Sequence, residues 1–385
     1  MTNPIRSLHT DVSERPFIVI WEVTRACALA CRHCRADAIP HRDPRELTTE
    51  QGFALLDDLA AYGAPRPMVV LTGGDPFERP DLADLVAYGT KAGLHISLSP
   101  SVTPRLTAST LAEMKEAGAH VVSLSIDGAT AATHDAFRGI DGTFDATLAA
   151  AATVREAGLR LQLNSTVTAD NVTELPALLD LVVELDPVLW SVFFLVPTGR
   201  GSTLRPLPAA EVEQVLWWLH EIAHVVPVKT TEAPHFRRVA IQRAERPNWG
   251  GPGGALLDDL RRQTRAHPPR RQSTPGRVRP PLDVNAGRGF SFIDHHGSVQ
   301  PSGFLPVTVG SLHDQPFSTI YREAPLLKAL RDPDALGGKC GVCEYRAVCG
   351  GSRSHAFAVT GDPLAADPSC AYEPAGASVG AGAPS

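Results

Sequence analysis

Between positions 17 and 195, six short β-branched runs alternate with longer amphipathic stretches, and few architectures accommodate that alternation. The runs are 17–23, 68–72, 95–99, 121–126, 160–167 and 188–195. Between them, segments 49–62, 82–92, 106–117, 143–157 and 172–185 carry apolar residues at helical spacing, each long enough to cross back over a sheet. Gly63, Gly93, Gly118 and Gly158 follow four of these segments, where a residue that reaches left-handed geometry without strain ends a helix. The pattern is that of repeated βα units around a parallel sheet.

Regularity fades after one further helical stretch, 209–225. Residues 243–289 are rich in Pro, Gly and Arg, with seven arginines and no acid between positions 261 and 280. Such a segment cannot build a core by itself, so it reads as an insertion: a solvated loop, or a lid that meets an anionic substrate. Order returns at 290–293, the turn 295–297 and Val299, which read as a β-hairpin. The Gly, Ala, Ser and Pro tail after Pro374 is expected to be disordered. At 385 residues, 43% hydrophobic and net charge -6, the chain can bury a large core. No segment is apolar for long enough to span a bilayer and no cleavable leader opens the chain, so the expected location is the cytoplasm. The mildly acidic balance argues against nucleic acid as a partner.

Seven cysteines fall into two tight groups near the two ends, a distribution that suits metal-binding thiolates better than a disulfide framework. Cys27, Cys31 and Cys34 follow the first predicted strand, and loops at strand C-termini are where parallel α/β folds place their chemistry. Three thiolates can ligate three irons of a cubane and leave the fourth iron open. Zinc would need a fourth ligand, which His33 could supply. Cys340, Cys343, Cys349 and Cys370 lie in a short, Gly-rich segment that can close around one metal centre with full ligation. Zinc or a redox dithiol are the alternatives there.

The CxxxCxxC spacing in TRACALACRHC resembles the signature of the radical S-adenosylmethionine (SAM) superfamily, and the resemblance covers nearly all of residues 16–374. It implies a partial (βα)6 TIM-like barrel and a catalytic 4Fe-4S cluster on Cys27, Cys31 and Cys34. The open iron would bind SAM, and an electron from the cluster would cleave it to a deoxyadenosyl radical that abstracts a substrate hydrogen. Gly73, Gly74 and Asp75 in LTGGDPF match the family's GGEP motif for the SAM amino group, with Asp in place of the commoner Glu. Ser125 and Asp127 in SLSIDG, Arg138 in HDAFRG and Asn164 in NSTVT match further SAM contacts, Arg138 toward the carboxylate. Ser99 and Ser101 stand where many relatives have a Thr-Asn-Gly turn. Read without the family, TGGDP is a strand-ending turn, Arg138 a surface partner of Asp135 or Asp141, and Asn164 a buried amide satisfying backbone groups.

The C-terminal segment resembles the SPASM module of radical SAM maturases, in the CGG-S-R form of haem-maturation relatives. Ser302 and Gly303 stand at the module's usual entrance cysteine, and Ser352 and Arg353 at a later one. The resemblance implies one auxiliary 4Fe-4S cluster on all four C-terminal cysteines. The expected division is an extension (1–15), barrel (16–225), partly disordered linker (226–289), SPASM-like domain (290–374) and tail (375–385). The implied partners are an electron donor such as flavodoxin or ferredoxin and a small-molecule or peptide substrate, with no membrane. A tetrapyrrole is the expected substrate, its propionates met by Arg353 and the arginines from Arg261 to Arg279. The alternatives are a peptide maturase and a non-catalytic iron-sulfur or zinc redox or regulatory protein.

Overall fold

The computed structural model describes residues 4–6, 8, 10–266 and 279–375. Strands β1 (Ile18–Thr24), β2 (Met68–Gly73), β3 (His95–Leu98), β4 (Val121–Ser125), β5 (Arg160–Val167), β6 (Leu189–Phe194) and β7 (Val228–Thr231) lie in chain order, all parallel. Helices α1 (Thr49–Ala60), α2 (Leu82–Lys91), α3 (Ala108–Glu116), α4 (Ala131–Arg138), α5 (Thr143–Glu156), α6 (Leu175–Leu185) and α7 (Ala209–Ile222) return the chain between them. The sheet's two faces differ because successive side chains alternate sides. On β1, Val19, Trp21 and Val23 are fully buried beneath the helices while Ile18 and Ile20 are only partly covered. On β5, Leu161, Leu163, Ser165 and Val167 are buried, and Gln162, Asn164 and Thr166 line the more open inner face.

One strand more than expected joins the parallel series. β7 reads VKTT, four residues with a lysine, too short to register as a strand by pattern alone. The first part of the Pro, Gly and Arg-rich segment also departs from the solvated-loop reading. Helix α8 (Phe236–Glu245) follows β7, and α9 (Ala255–Ala266) packs on α7. Leu257 and Leu260 of α9 are fully buried, an apolar pair one turn apart hidden among charges, and Arg261 pairs with Glu221 of α7. The remaining arginine-rich stretch, 267–278, and the tail 376–385 lie outside the described residues.

The expected hairpin forms as β9 (Gly289–Ile293) against β10 (Ser298–Gln300), flanked by β8 (Asn285–Ala286) and β11 (Gly310–Ser311). β9 also pairs in parallel with β1, Ile18 beside Phe290, so the C-terminal segment continues the barrel sheet without a break. Helices α10 (Phe317–Glu323), α11 (Pro325–Arg331), α12 (Gly338–Gly341) and α13 (Arg353–Thr360) complete the described chain. One hydrophobic core runs from Val19 on β1 to Tyr321 on α10. Among the described residues no helix is long and apolar enough to cross a membrane.

Candidate active site

Backbone contacts from three sides hold the loop that carries Cys27, Cys31 and Cys34. From the end of β2, the Gly74 and Asp75 amides donate to the Thr24 and Ala26 carbonyls at 2.9 and 2.7 Å. A Cβ at Gly73 would lie 2.2 Å from the Thr24 oxygen, and one at Gly74 2.3 Å from that of Ala26, so only glycine permits this approach. From the turn after β6, the Arg200 amide donates to the Cys34 carbonyl at 3.1 Å, and its guanidinium to the Cys31 carbonyl at 3.0 Å. From α4, the Phe137 carbonyl accepts the Arg32 amide at 3.0 Å. Beside Cys34, Arg35 bonds Glu22 at 3.0 Å and lies over the Phe292 ring, tying the loop to β1 and β9.

All three thiols are free; Cys27 and Cys31 are buried and Cys34 is half-buried. Ser101 donates to the Gly74 carbonyl at 2.7 Å and sits 3.5 Å from the Cys27 sulfur. Arg138 reaches the Cys31 sulfur at 3.7 Å and Asp127 at 2.5 Å, while Asp127 also accepts the Thr166 amide at 2.7 Å. Burial opposes the charge of Asp127 most strongly, yet Arg138, His33, His134 and the Thr166 amide together outweigh it and hold this carboxyl below its ordinary range. Arg138 is thus a buried cation and not a surface partner of Asp135. Asp135 instead takes the Gly142 and Phe144 amides, both at 2.7 Å, at the start of α5. A small cavity lined by Leu29, Pro100, Ser101, Ser125, His134 and Arg138 opens next to the cysteine loop.

The other matched positions are more distant in role. Asp75 is fully buried, caps the turn Pro76–Glu78 through the Phe77 amide and accepts the Thr103 hydroxyl at 2.7 Å; burial pushes its carboxyl up to about 6. Its side chain braces the loop from behind. Asn164 pairs with Ser125 across the ladder, and its side-chain oxygen accepts from Gln162 at 2.8 Å. Ser99 closes the row above Leu71 through its amide at 2.9 Å, and its carbonyl accepts the Thr72 hydroxyl at 3.3 Å. His33 stacks on Phe137, and burial pushes its imidazole down to about 4, leaving it neutral.

Side chains and carbonyls, more than regular structure, gather the second cysteine group. Cys340 and Cys349 are buried, Cys343 and Cys370 half-buried. Arg237 donates to the Cys349 carbonyl at 2.9 Å, Lys339 to that of Cys370 at 2.7 Å, and the Asp367 amide to the Cys340 sulfur at 3.3 Å. Arg353 is buried and fully engaged: it reaches the Gly351, Pro363 and Ala365 carbonyls and lies 3.6 Å from the Cys340 sulfur. It therefore cannot be the propionate partner expected of it. Burial pushes the thiols of Cys349 and Cys370 up to about 11 and about 12, with Arg237 and Arg238 opposing the shift. The two serines in cysteine positions converge on one acid. Ser302 and Ser352 donate to the two oxygens of Glu232 at 3.1 and 2.7 Å.

Tetrahedral zinc at about 2.3 Å from each sulfur would draw those sulfurs to within about 4 Å of each other. Among the described residues no three cysteines bring their sulfurs within 4.8 Å of one another. Sequence reasoning passed over Glu22, Arg200, Glu232 and Lys229. Glu22 did carry a signal, a lone acid in the apolar strand IVIWEVT. Lys229 lies on the inner-face ladder row of Ser125, Asn164 and Ser191. It is open to solvent there yet walled in by protein, and that enclosure, with Arg279 nearby, pushes its ammonium down to about 8.

Residues 21–182 match the family model of the Radical SAM superfamily. The chain is 37% identical over 365 residues to the AdoMet-dependent heme synthase of Methanosarcina barkeri (strain Fusaro / DSM 804), covering 94% of this chain and 98% of that protein. It is 32% identical to the pre-heme d1 synthase of Dinoroseobacter shibae (strain DSM 16493 / NCIMB 14021 / DFL 12), over 92% of this chain and 85% of that one. Among solved structures, Streptococcus suis SuiB bound to S-adenosylmethionine superposes with a TM-score of 0.67 at 14% identity, covering 93% of this chain and 78% of that one. That last likeness speaks to the fold alone.

Proposed function

The chain belongs to the radical SAM superfamily, and from that premise we propose that it modifies a tetrapyrrole, or a similar carboxylate-bearing macrocycle, at the inner face of its barrel. The observation that carries this reading is the likeness, along nearly the whole chain, to relatives named as heme and pre-heme d1 synthases. Cys27, Cys31 and Cys34 would hold a 4Fe-4S cluster, which would supply the electron for reductive cleavage of SAM and so the radical chemistry that removes a substrate hydrogen.

The residues around that triplet suit the task. Gly73 and Gly74 let the backbone of β2 approach the loop closely, where its polar groups can meet the methionine part of SAM. Arg138, held by Asp127, sets a fixed positive charge beside Cys31 and the cavity, suited to a carboxylate. Ser101 and Ser125 line the same cavity, and Asn164 lies one strand over from Ser125. Enclosure by the barrel keeps water and stray hydrogen donors from the reacting atoms. With Arg353 engaged elsewhere, Lys229 is an inner-face cation placed to meet a substrate carboxylate.

Cys340, Cys343, Cys349 and Cys370 would hold one auxiliary 4Fe-4S cluster in a SPASM-type segment, and Ser302 and Ser352 instead bond Glu232. The electron donor is a flavodoxin or ferredoxin. Anaerobic incubation of the reconstituted protein with dithionite, SAM and iron-coproporphyrin tests the reading. The expected result is a saturable Soret shift, deoxyadenosine, and a porphyrin of altered mass. Deoxyadenosine without porphyrin binding would remove the substrate assignment and leave the chemistry standing.

A further inference from the structure

The β9–β10 turn carries two adjacent histidines that neither cysteine group uses. Asp294 fixes this turn by accepting the His296 and Ser298 amides at 2.9 and 2.8 Å, and the Leu47 amide bonds the His295 carbonyl at 2.9 Å. That last bond brings the segment after the cysteine loop, including Asp43, alongside both imidazoles. We propose that Asp43, His295 and His296 form a binding site for a divalent transition metal ion of the zinc class, separate from both cysteine groups.

Each of the three side chains offers a ligand atom, and these atoms all lie within 4.8 Å of one another. His295 is only 4% exposed. Its Nδ1 is 2.8 Å from the Glu22 carboxylate, and its Nε2 is buried with no hydrogen-bond partner. A carboxylate that accepts the Nδ1–H hydrogen bond fixes the proton on Nδ1 and leaves Nε2 as a bare lone pair, the usual outer support of a metal-bound imidazole. His296 Nε2 lies 3.1 Å from Asp43 Oδ2, and the proton between them is the one a cation would displace. Arg45 also bonds Asp43, but its side chain is 74% exposed and can swing into solvent. Two imidazoles and one carboxylate form a donor set for zinc, completed by water, and a poor one for calcium or magnesium. The ion would clamp the segment behind the catalytic cysteines to the β9–β10 turn. Glu22 connects the two places, since it bonds both His295 and the Arg35 that follows Cys34.

The test uses anaerobically reconstituted holoprotein, its cysteines occupied by clusters, stripped of loose metal on a chelating resin. Zinc is then titrated against a chromophoric chelator, with zinc, iron and sulfide measured per chain. The expected result is one zinc per chain at unchanged iron and sulfide, with affinity at least about tenfold weaker in His296→Ala and in Asp43→Asn. His296 and Asp43 are only partly buried, so both variants keep the fold if the buried His295 cannot be replaced. No retained zinc, zinc taken up only as iron is lost, or equal affinity in wild type and both variants overturns the proposal.

Discussion

Cys27, Cys31 and Cys34 hang on a loop bonded through its backbone to β2, α4 and the turn after β6, whereas polar side chains gather Cys340, Cys343, Cys349 and Cys370 in a segment with little regular structure. The first arrangement holds the thiols while keeping space beside them, because glycines and carbonyls do the holding and the cavity at Ser101 and Arg138 is left clear. The second surrounds its sulfurs with Arg237, Arg238 and Arg353, cations that oppose only part of the burial effect that holds the Cys349 and Cys370 thiols up at about 11 and about 12. On the proposed reading, three thiolates with room for a fourth partner would suit bond cleavage. Four thiolates around one cluster would suit the storage or passage of an electron.

Replacing the triplet is the strongest way to break this comparison. Cys27, Cys31 and Cys34 changed together to Ala should abolish deoxyadenosine formation and lower iron by about half, because one of two cubanes is lost. Unchanged iron would mean that the triplet holds no cluster. Cys343→Ala should act in the opposite way. It should leave uncoupled SAM cleavage within about twofold of wild type and lower porphyrin product by more than about tenfold. Equal losses in both assays would show that the two groups do not divide the work.

The same contrast explains which features the sequence disclosed. Strand and helix periodicity made the barrel legible as far as β6, because Val19, Trp21 and Val23, or Leu161 and Leu163, repeat at the spacing of a half-buried strand. β7 escaped because four residues with a central lysine carry no period, and α9 because Leu257 and Leu260 are outnumbered by charges. Both cysteine groups stood out from spacing, since their members are near one another in the chain. Partners brought in from far along the chain did not. The bond of Glu22 to His295 spans 273 positions, and that of Ser352 to Glu232 spans 120. Arg353 was placed near its cysteines correctly, but sequence could not reveal that three carbonyls already occupy it.

Lys229 sharpens the comparison from the substrate side. Its ammonium is pushed down to about 8 from the ordinary lysine value, so the cation is present below that pH and is lost as pH rises through it. Porphyrin affinity should therefore fall above about pH 8, and Lys229→Met should weaken binding by about ten- to a hundredfold at pH 7 while flattening that pH dependence. SAM cleavage without porphyrin should be indifferent to both changes. A pH profile of binding that persists in Lys229→Met would assign the titration to another group.

The smallest effect concerns the acid that stands between the two regions. Glu232 follows β7 with φ +60, and its two oxygens accept from Ser302 and Ser352, so it joins the last barrel strand to the segment around the second cysteine group. Ser352 also caps α13 by accepting the His355 amide at 3.2 Å, which makes its orientation matter for the helix that begins at Arg353. Glu232→Gln keeps one acceptor and turns the other into a donor facing a hydroxyl, which the serine can meet by rotating its own proton. The cost should be about 1 kcal/mol. Glu232→Ala removes both acceptors and should cost about 2 kcal/mol, read as the difference between denaturant unfolding midpoints of proteins matched in iron content. Because the change lies on the side of the four-cysteine group, product formation should fall before deoxyadenosine does. An alanine variant as stable as wild type would mean that the β9–β1 ladder and bonds such as Arg237 to the Cys349 carbonyl suffice to fix the segment to the barrel, and that the two serines are incidental to its attachment.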